Sequence, residues 1–225
     1  MTNNLIILNG KIVFCQRESY NTYNIYVGDK KGSQKVATFN KPLAYIEYYK
    51  NRIACLHDKN VKLYTNKFEY IKEWSLQYKC YNLAIDNKSI YVASLSNIYI
   101  YDFDGKLTGT IDLTKIKVLC NSFTVYNDKI FLVDGKTNFV ILSPEGKIIN
   151  KWTSKKKQSL LKIKIYEKKV FVFDSINSIF LIFTLTGDLL SYSSIKTTSN
   201  LSDFYAYKGL LFINHNEVID SYKIS

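Results

Sequence analysis

Short apolar runs, each closed by Asn, Asp, Gly, Glu or Lys, recur along the whole chain. Six stand out: Ile12-Val-Phe-Cys15, Ile53-Ala-Cys-Leu56, Ile90-Tyr-Val-Ala93, Ile130-Phe-Leu-Val133, Val170-Phe-Val-Phe173 and Leu211-Phe-Ile-Asn214. Four positions before each run stand Leu8, Tyr49, Asp86, Tyr126, Tyr166 and Tyr207, followed at once by pairs such as Asn9-Gly10, Asn127-Asp128 and Lys208-Gly209. Turn residues between two apolar runs predict a hairpin, so each unit contains two adjacent antiparallel strands, a and b. A third strand, c, follows another turn, as in Asn97-Ile-Tyr-Ile-Tyr101 and Ser178-Ile-Phe-Leu-Ile-Phe183. Gly-containing turns at Gly105, Gly146 and Gly187 then lead into a fourth strand, d.

The first residues of the six runs are separated by 41, 37, 40, 40 and 41 positions. A period near 40 built from short strands and turns is the signature of propeller blades, and it predicts an all-β, six-bladed β-propeller occupying residues 1–225 as one domain. The stretch from Val170 to Leu190, with Asp174-Ser-Ile-Asn177 between two strands and Gly187 in the next turn, resembles the NHL repeat. Ile90 to Leu107 is a second good copy, with Ser94 in the Asp place and Asn97 kept. That resemblance implies a binding scaffold; the fold carries over from it and the function does not. Two blades depart from the pattern. Blade one carries an insertion from Arg17 to Tyr23 between strands b and c, and the last blade stops after strand c, leaving it three-stranded.

Composition adds a partner class. Thirty-one Lys and Arg against nineteen Asp and Glu give a net charge of +12, which favours polyanions, but only Arg17 and Arg52 are arginines and the lysines are spread along the chain. Dispersed Lys without Arg is the pattern of a solvated surface more than of a phosphate reader. The opening residues lack the basic and apolar regions of a signal peptide, and no apolar stretch is long enough to span a membrane, so an intracellular protein is expected.

The chemistry-bearing residues divide by column. Cys15, Cys55, Cys80 and Cys120 each stand where other blades place a hydrophobic residue, so they are expected to be buried thiols and not disulfides or metal ligands. Gln16, His57, Ser94, Asp134, Asp174 and His215 share the end of strand b, where Asp followed by a turn caps its own backbone. Asp134-Gly135-Lys136-Thr137 lacks the earlier Gly and the helix of a phosphate loop and reads as a turn. Strand a lies nearest the axis, and its polar parity makes Glu47, Asn82, Lys162, Lys164 and Asp203 channel-lining candidates. Glu47, Asn82 and Asp203 are the ligands a calcium-dependent hydrolase or lyase would use, although two ammonium groups beside them oppose a cation. No metal or other cofactor is expected.

Three surfaces remain as interaction candidates. Arg17, Tyr20, Tyr23, Lys115, Lys117, Lys155, Lys156 and Lys157 fall on loops that propeller topology gathers on one face. The edge of the last blade, with Val218, Ile219, Tyr222 and Ile224, is a strand edge of the kind that templates pairing with a partner strand or a second copy. The expected function is a non-enzymatic scaffold for protein–protein interaction, part of a larger assembly. RNA binding by the Lys-rich loop face is the alternative, and a channel-metal hydrolase or lyase the third.

Overall fold

The computed structural model describes residues 5–29, 32–194, 201–215 and 218–223, with Ser202, His215 and Val218 described by backbone alone. Six antiparallel sheets form, five of four strands and one of three. Blade 1 comprises β1 (Leu5–Leu8), β2 (Lys11–Arg17), β3 (Tyr23–Asp29) and β4 (Gly32–Phe39). Blade 2 comprises β5 (Leu43–Tyr49), β6 (Arg52–His57), β7 (Asn60–Thr65) and β8 (Tyr70–Ser75), and blade 3 β9 (Asn82–Ile85), β10 (Ile90–Ala93), β11 (Asn97–Tyr101) and β12 (Leu107–Asp112). Blade 4 comprises β13 (Ser122–Tyr126), β14 (Lys129–Val133), β15 (Asn138–Leu142) and β16 (Ile148–Thr153). Blade 5 follows as β17 (Leu160–Tyr166), β18 (Lys169–Asp174), β19 (Ile179–Thr184) and β20 (Leu189–Ser194), and blade 6 as β21 (Leu201–Tyr207), β22 (Leu210–His215) and β23 (Val218–Lys223). A single 3-10 turn, Leu113–Ile116, interrupts the strands, capped by the Asp112 side chain. No helix among the described residues is long and apolar enough to cross a membrane.

The innermost strands touch in ring order, β1 to β5, β9, β13, β17, β21 and back to β1, so the sheets close into a six-bladed propeller. Its core is a set of interblade layers. One layer holds Ala54, Leu56, Val61 and Leu63 of blade 2 against Ile90, Val92, Tyr99 and Tyr101 of blade 3. Alternation along each strand sends successive side chains to opposite blades, which is why strands b read as continuous apolar runs. Cys55, Cys80 and Cys120 are fully buried in these layers and Cys15 nearly so; no disulfide joins any of the four. Burial pushes the Cys80 thiol up to about 12 and the Cys55 and Cys120 thiols further in the same direction.

The repeated polar columns are structural. Asp174 accepts from the backbone N–H of Ser159 and Ile176 and from the Asn177 amide, and Asp134 accepts from Lys136, Asn138 and the Asn138 amide. An Asp at the end of strand b, with an Asn three residues on (Asp174–Asn177) or four (Asp134–Asn138), is therefore a clamp that closes the turn between strands b and c. A second column ties strand c to strand d: Thr38 donates to Asn24, Ser75 to Asn60 and Thr153 to Asn138. The glycines of the c–d turns have an equally local reason. Gly105 and Gly146 adopt φ of +80° and +83°, and a Cβ there would lie 2.8 Å from Trp74 and 2.6 Å from Ile111 of the preceding blade.

Candidate functional site

Strands a run from one face of the disc to the other. The b–c loops and the links between blades emerge on one side, the loop face, and the a–b and c–d turns on the other, the turn face. The two loop sets of the first side interlock: Asn177 donates to the Lys157 carbonyl, Ser159 to the Gly135 carbonyl, and Leu160 to that of Lys136.

The axis is closed by its own polar residues. Lys164 of blade 5 reaches across to Glu47 of blade 2, Nζ to Oε2 at 2.8 Å, with both side chains almost wholly buried. Burial alone would push the Lys164 ammonium down, but Glu47, Tyr45 and Asp203 hold its pKa well above the ordinary lysine value. The Tyr45 ring, 2% exposed, lies between two ammonium groups, with Lys164 Nζ at 5.2 Å and Lys162 Nζ at 5.7 Å from its centroid. Burial raises the Tyr45 hydroxyl far above its ordinary pKa, so it stays neutral. Asp203 accepts from the backbone N–H of Leu5, joining blade 6 to blade 1, while its other carboxylate oxygen and the buried Ser122 hydroxyl have no partner among the described residues. Asn82 donates to the Asn121 carbonyl and Asn121 to that of Leu161, a chain of amides from blade 3 to blade 5. All five channel-lining candidates thus lie on strands a near the axis. Glu47 is ion-paired, Asp203 and Asn82 are held by interblade hydrogen bonds, and among the described residues no three His, Cys, Asp or Glu side chains gather as a metal requires. What is left of the channel is a cavity of about 150 Å³ at the turn face, lined by Glu47, Thr124, Tyr126, Lys164 and Tyr205.

The loop face is the opposite case. Among the described residues, the large exposed hydrophobic side chains fall in two places. Tyr20, Tyr78, Tyr81, Leu95, Leu119 and Ile176 stand on loop-face loops, and all others stand on the outer strands β8, β12, β16 and β20; none among the described residues is on a turn-face turn. Exposed Lys41, Lys59, Lys79, Lys115, Lys117, Lys136, Lys155, Lys156 and Lys157 surround them, against few acids. The insertion of blade 1 is a built loop: Arg17 donates to the Ser19 and Tyr20 carbonyls and lies 5.4 Å from the Tyr20 ring, which is 81% exposed. Arg17 therefore holds Tyr20 out to solvent and is itself engaged.

Tyr23 is corrected. It opens β3 and is buried with Ile25 and Phe39 in the layer between blades 1 and 2, because its parity on the strand points inward. Lys115 sits in the 3-10 turn and Lys117 caps it in the left-handed region, both exposed. Reasoning from the sequence missed Tyr78, Tyr81, Leu95, Leu119 and Ile176. Their available signal was position: Tyr78 and Tyr81 flank buried Cys80, and Leu119 precedes buried Cys120, each out of phase with the core column. At the blade-6 edge, Ile219 and Tyr222 are half-buried, Val218 is described by its backbone, and Ile224 lies outside the described residues.

No protein-family model matches the sequence, and no curated protein is significantly similar to it. Solved structures match in large number, 1082 chains, too many and too varied to single out a function. BamB from Moraxella catarrhalis superposes with a TM-score of 0.63 at 11% identity, over 96% of this chain and 70% of that one. The computationally designed Ika8 protein superposes with a TM-score of 0.63 at 11% identity, over 99% of this chain and 70% of its own. A natural chain and a designed one fit equally well, so what these likenesses establish is the propeller fold alone; the six blades and the three-stranded last sheet are read from the strand pairing of this chain.

Proposed function

We propose that this chain is a non-enzymatic propeller that presents its loop face to a protein partner within a larger assembly. One observation carries the reading: six large hydrophobic side chains stand exposed on the loop face and none on the described turn-face turns. Exposed apolar groups gathered on one face and rimmed by charge mark an interaction surface, whereas single scattered ones do not. The axis supports the non-enzymatic part, since its carboxylates are engaged by Lys164 and by the Leu5 amide. The Asp-x-x-Asn clamp at Asp174 supports taking the blades as divergent NHL-type repeats, with the Asp134 clamp one residue longer. Four thiols, none in a disulfide, agree with a reducing, intracellular setting.

The test is a pair of surface variants in the intact chain. Tyr78→Ser with Leu119→Ser should lower affinity for the assembly at least about tenfold, because truncating aromatic and aliphatic anchors removes most interface energy. Lys88→Ser on the turn face should leave it unchanged. Equal losses, or none from the loop face, would refute the reading.

RNA binding is kept as a second reading on a specific geometry. Cations lie over exposed aromatic rings at Arg17–Tyr20 and Lys79–Tyr81, and Tyr78 stacks on Tyr99 at 5.0 Å. Rings beside cations are how single strands are held. Under that reading, replacing Lys155, Lys156 and Lys157 flattens the salt dependence of binding by about one log unit per lost phosphate contact. Capture of the partner that survives nuclease excludes it.

A further inference from the structure

Blades 2 to 4 each seal the junction with the next blade by one large side chain on the outer strand. Trp74 lies 6.3 Å, ring to ring, from Tyr101 of blade 3, Ile111 joins the core that holds Leu142 of blade 4, and Trp152 meets Phe183 of blade 5 edge-on at 5.2 Å. Tyr101, Leu142 and Phe183 occupy one register position, opposite Ile90, Ile130 and Val170 at the start of strand b. In blade 6 that position is Tyr222, opposite Leu211.

The sealing group is missing at this last junction. Register places Ser193 of β20, opposite Phe180, where β8, β12 and β16 carry Trp74, Ile111 and Trp152; β4 has the small Ala37 there, half-buried against its layer. All six residues of β20 are exposed, and a cleft of about 380 Å³ opens between blades 5 and 6 over Phe180, Ile182, Leu211 and Tyr222. The same cleft borders the outer edge of β23, with which no strand pairs among the described residues. Blades 2 to 5 show what occupies that edge elsewhere: an antiparallel strand whose residue facing the Tyr222 position is Tyr70, Leu107, Ile148 or Leu189, large and apolar each time.

We propose that the cleft and the β23 edge together form a strand-accepting site for an extended, acidic segment of a second protein, which adds as a fourth strand and sets a large apolar side chain opposite Tyr222. Backbone pairing supplies affinity and the cleft supplies specificity, as in other strand additions. The four preceding blades define the shape of the occupant, and charge defines its sign. Lys223 is the one charged residue among the described residues that line the cleft, and β23 carries one acid, Asp220. The chain as a whole carries +12, so a second copy would bring like charge to like, whereas an acidic segment is attracted. The proposal shares with the scaffold reading only that the occupant is protein; the loop face takes no part.

A short acidic peptide of alternating Thr and Glu with a central Leu is the probe, read by hydrogen exchange of the Ile219 to Lys223 amides and by titration against the full chain. Protection of those amides on binding, lost at least about tenfold in affinity when the peptide Leu becomes Ser or when the protein carries Ser193→Trp, is the expected result. The Ser193→Trp chain must keep its loop-face binding, which separates failure of this site from failure of the scaffold reading. Binding that ignores both changes, or no binding, overturns the proposal. So do outward-facing β23 amides, those not bonded to β22, already protected in the free chain, showing the edge covered in cis, and a dimer abolished by Ser193→Trp, showing a second copy as occupant.

Discussion

The axis and the loop face are the two polar-rich regions of this propeller, and they treat their side chains in opposite ways. At the axis, Glu47 and Lys164 come from residues 117 apart in sequence and meet across the ring, Asp203 holds the first blade to the last, and Tyr45 lies between two lysines. On the loop face Tyr20, Tyr78 and Leu119 stand in solvent and the lysines around them have few acids nearby. A cluster of carboxylates and amines on the axis of a propeller looks like a site until its partners are traced. Here the Glu47, Lys164 and Asn82 side chains and one Asp203 oxygen are engaged within the ring. The second Asp203 oxygen and the Ser122 hydroxyl are buried beside them, and the exposed groups are on the loop face. In a ring of six similar blades, the position of polar residues says less about function than whether they are already engaged.

That contrast predicts a graded series of effects. Lys164→Met leaves the Glu47 carboxylate buried and unpaired, and should cost about 3–5 kcal/mol in chemical denaturation, with Glu47→Leu added to it restoring much of the loss. A loss within about 0.5 kcal/mol, the range of an ordinary surface substitution, would mean that the pair is not sealed from water. The pH dependence carries the same sign. Because the folded-state pKa of Lys164 is raised, its contribution is fully present below the unfolded lysine value near 10.4 and is lost only as pH rises through the folded value. Stability measured from pH 7 upward should therefore show no Lys164-dependent loss until the alkaline limb, and the Lys164→Met chain should lack that part of it.

Smaller effects follow from the clamps and the thiols. Asp174→Ala removes acceptors from two backbone amides and one side-chain amide in a half-buried turn, and should lower stability by about 1–3 kcal/mol. Native labelling by a thiol reagent at pH 8 should be slow for Cys15, Cys55, Cys80 and Cys120 and complete after denaturation, since all four are buried and burial raises the Cys55, Cys80 and Cys120 thiols far enough to deny all but traces of thiolate. At the other extreme, Leu119→Ser should change stability by no more than about 0.5 kcal/mol, and Tyr78→Ser by about 0.5–1.5 kcal/mol through its lost stacking on Tyr99, while both alter binding. A large destabilisation by either would move these residues from the contact surface to the core.

The sequence made the blades legible because each repeats the same instruction. The strand-b runs, the a–b turns and the Gly turns recur at a period short enough to align by eye, and the cysteines fall into hydrophobic columns. The b–c clamps were readable for the same reason, as a local Asp–Asn spacing. Tyr23 was misjudged because it closes the Arg17–Tyr23 insertion, where no column fixes parity; its burial depends on β3 resuming at Tyr23 itself. The Lys164–Glu47 pair was legible only as two residues of one lining, since their meeting is set by closure of the whole ring. Tyr78, Tyr81 and Leu119 were invisible for a further reason: in a chain this rich in aromatics, an exposed ring in an interblade link has the same local pattern as a buried one beside it.

Photo-cross-linking from single positions in the intact chain tests the central claim most directly. A cross-linking residue placed at Tyr78, Tyr81, Leu119 or Ile176 should capture one and the same protein partner, in nuclease-treated samples as in untreated ones, while the same residue at Lys88 or Lys168 on the turn face captures none. Capture of that partner from the turn face, or nuclease-sensitive products alone from the loop face, would contradict the account.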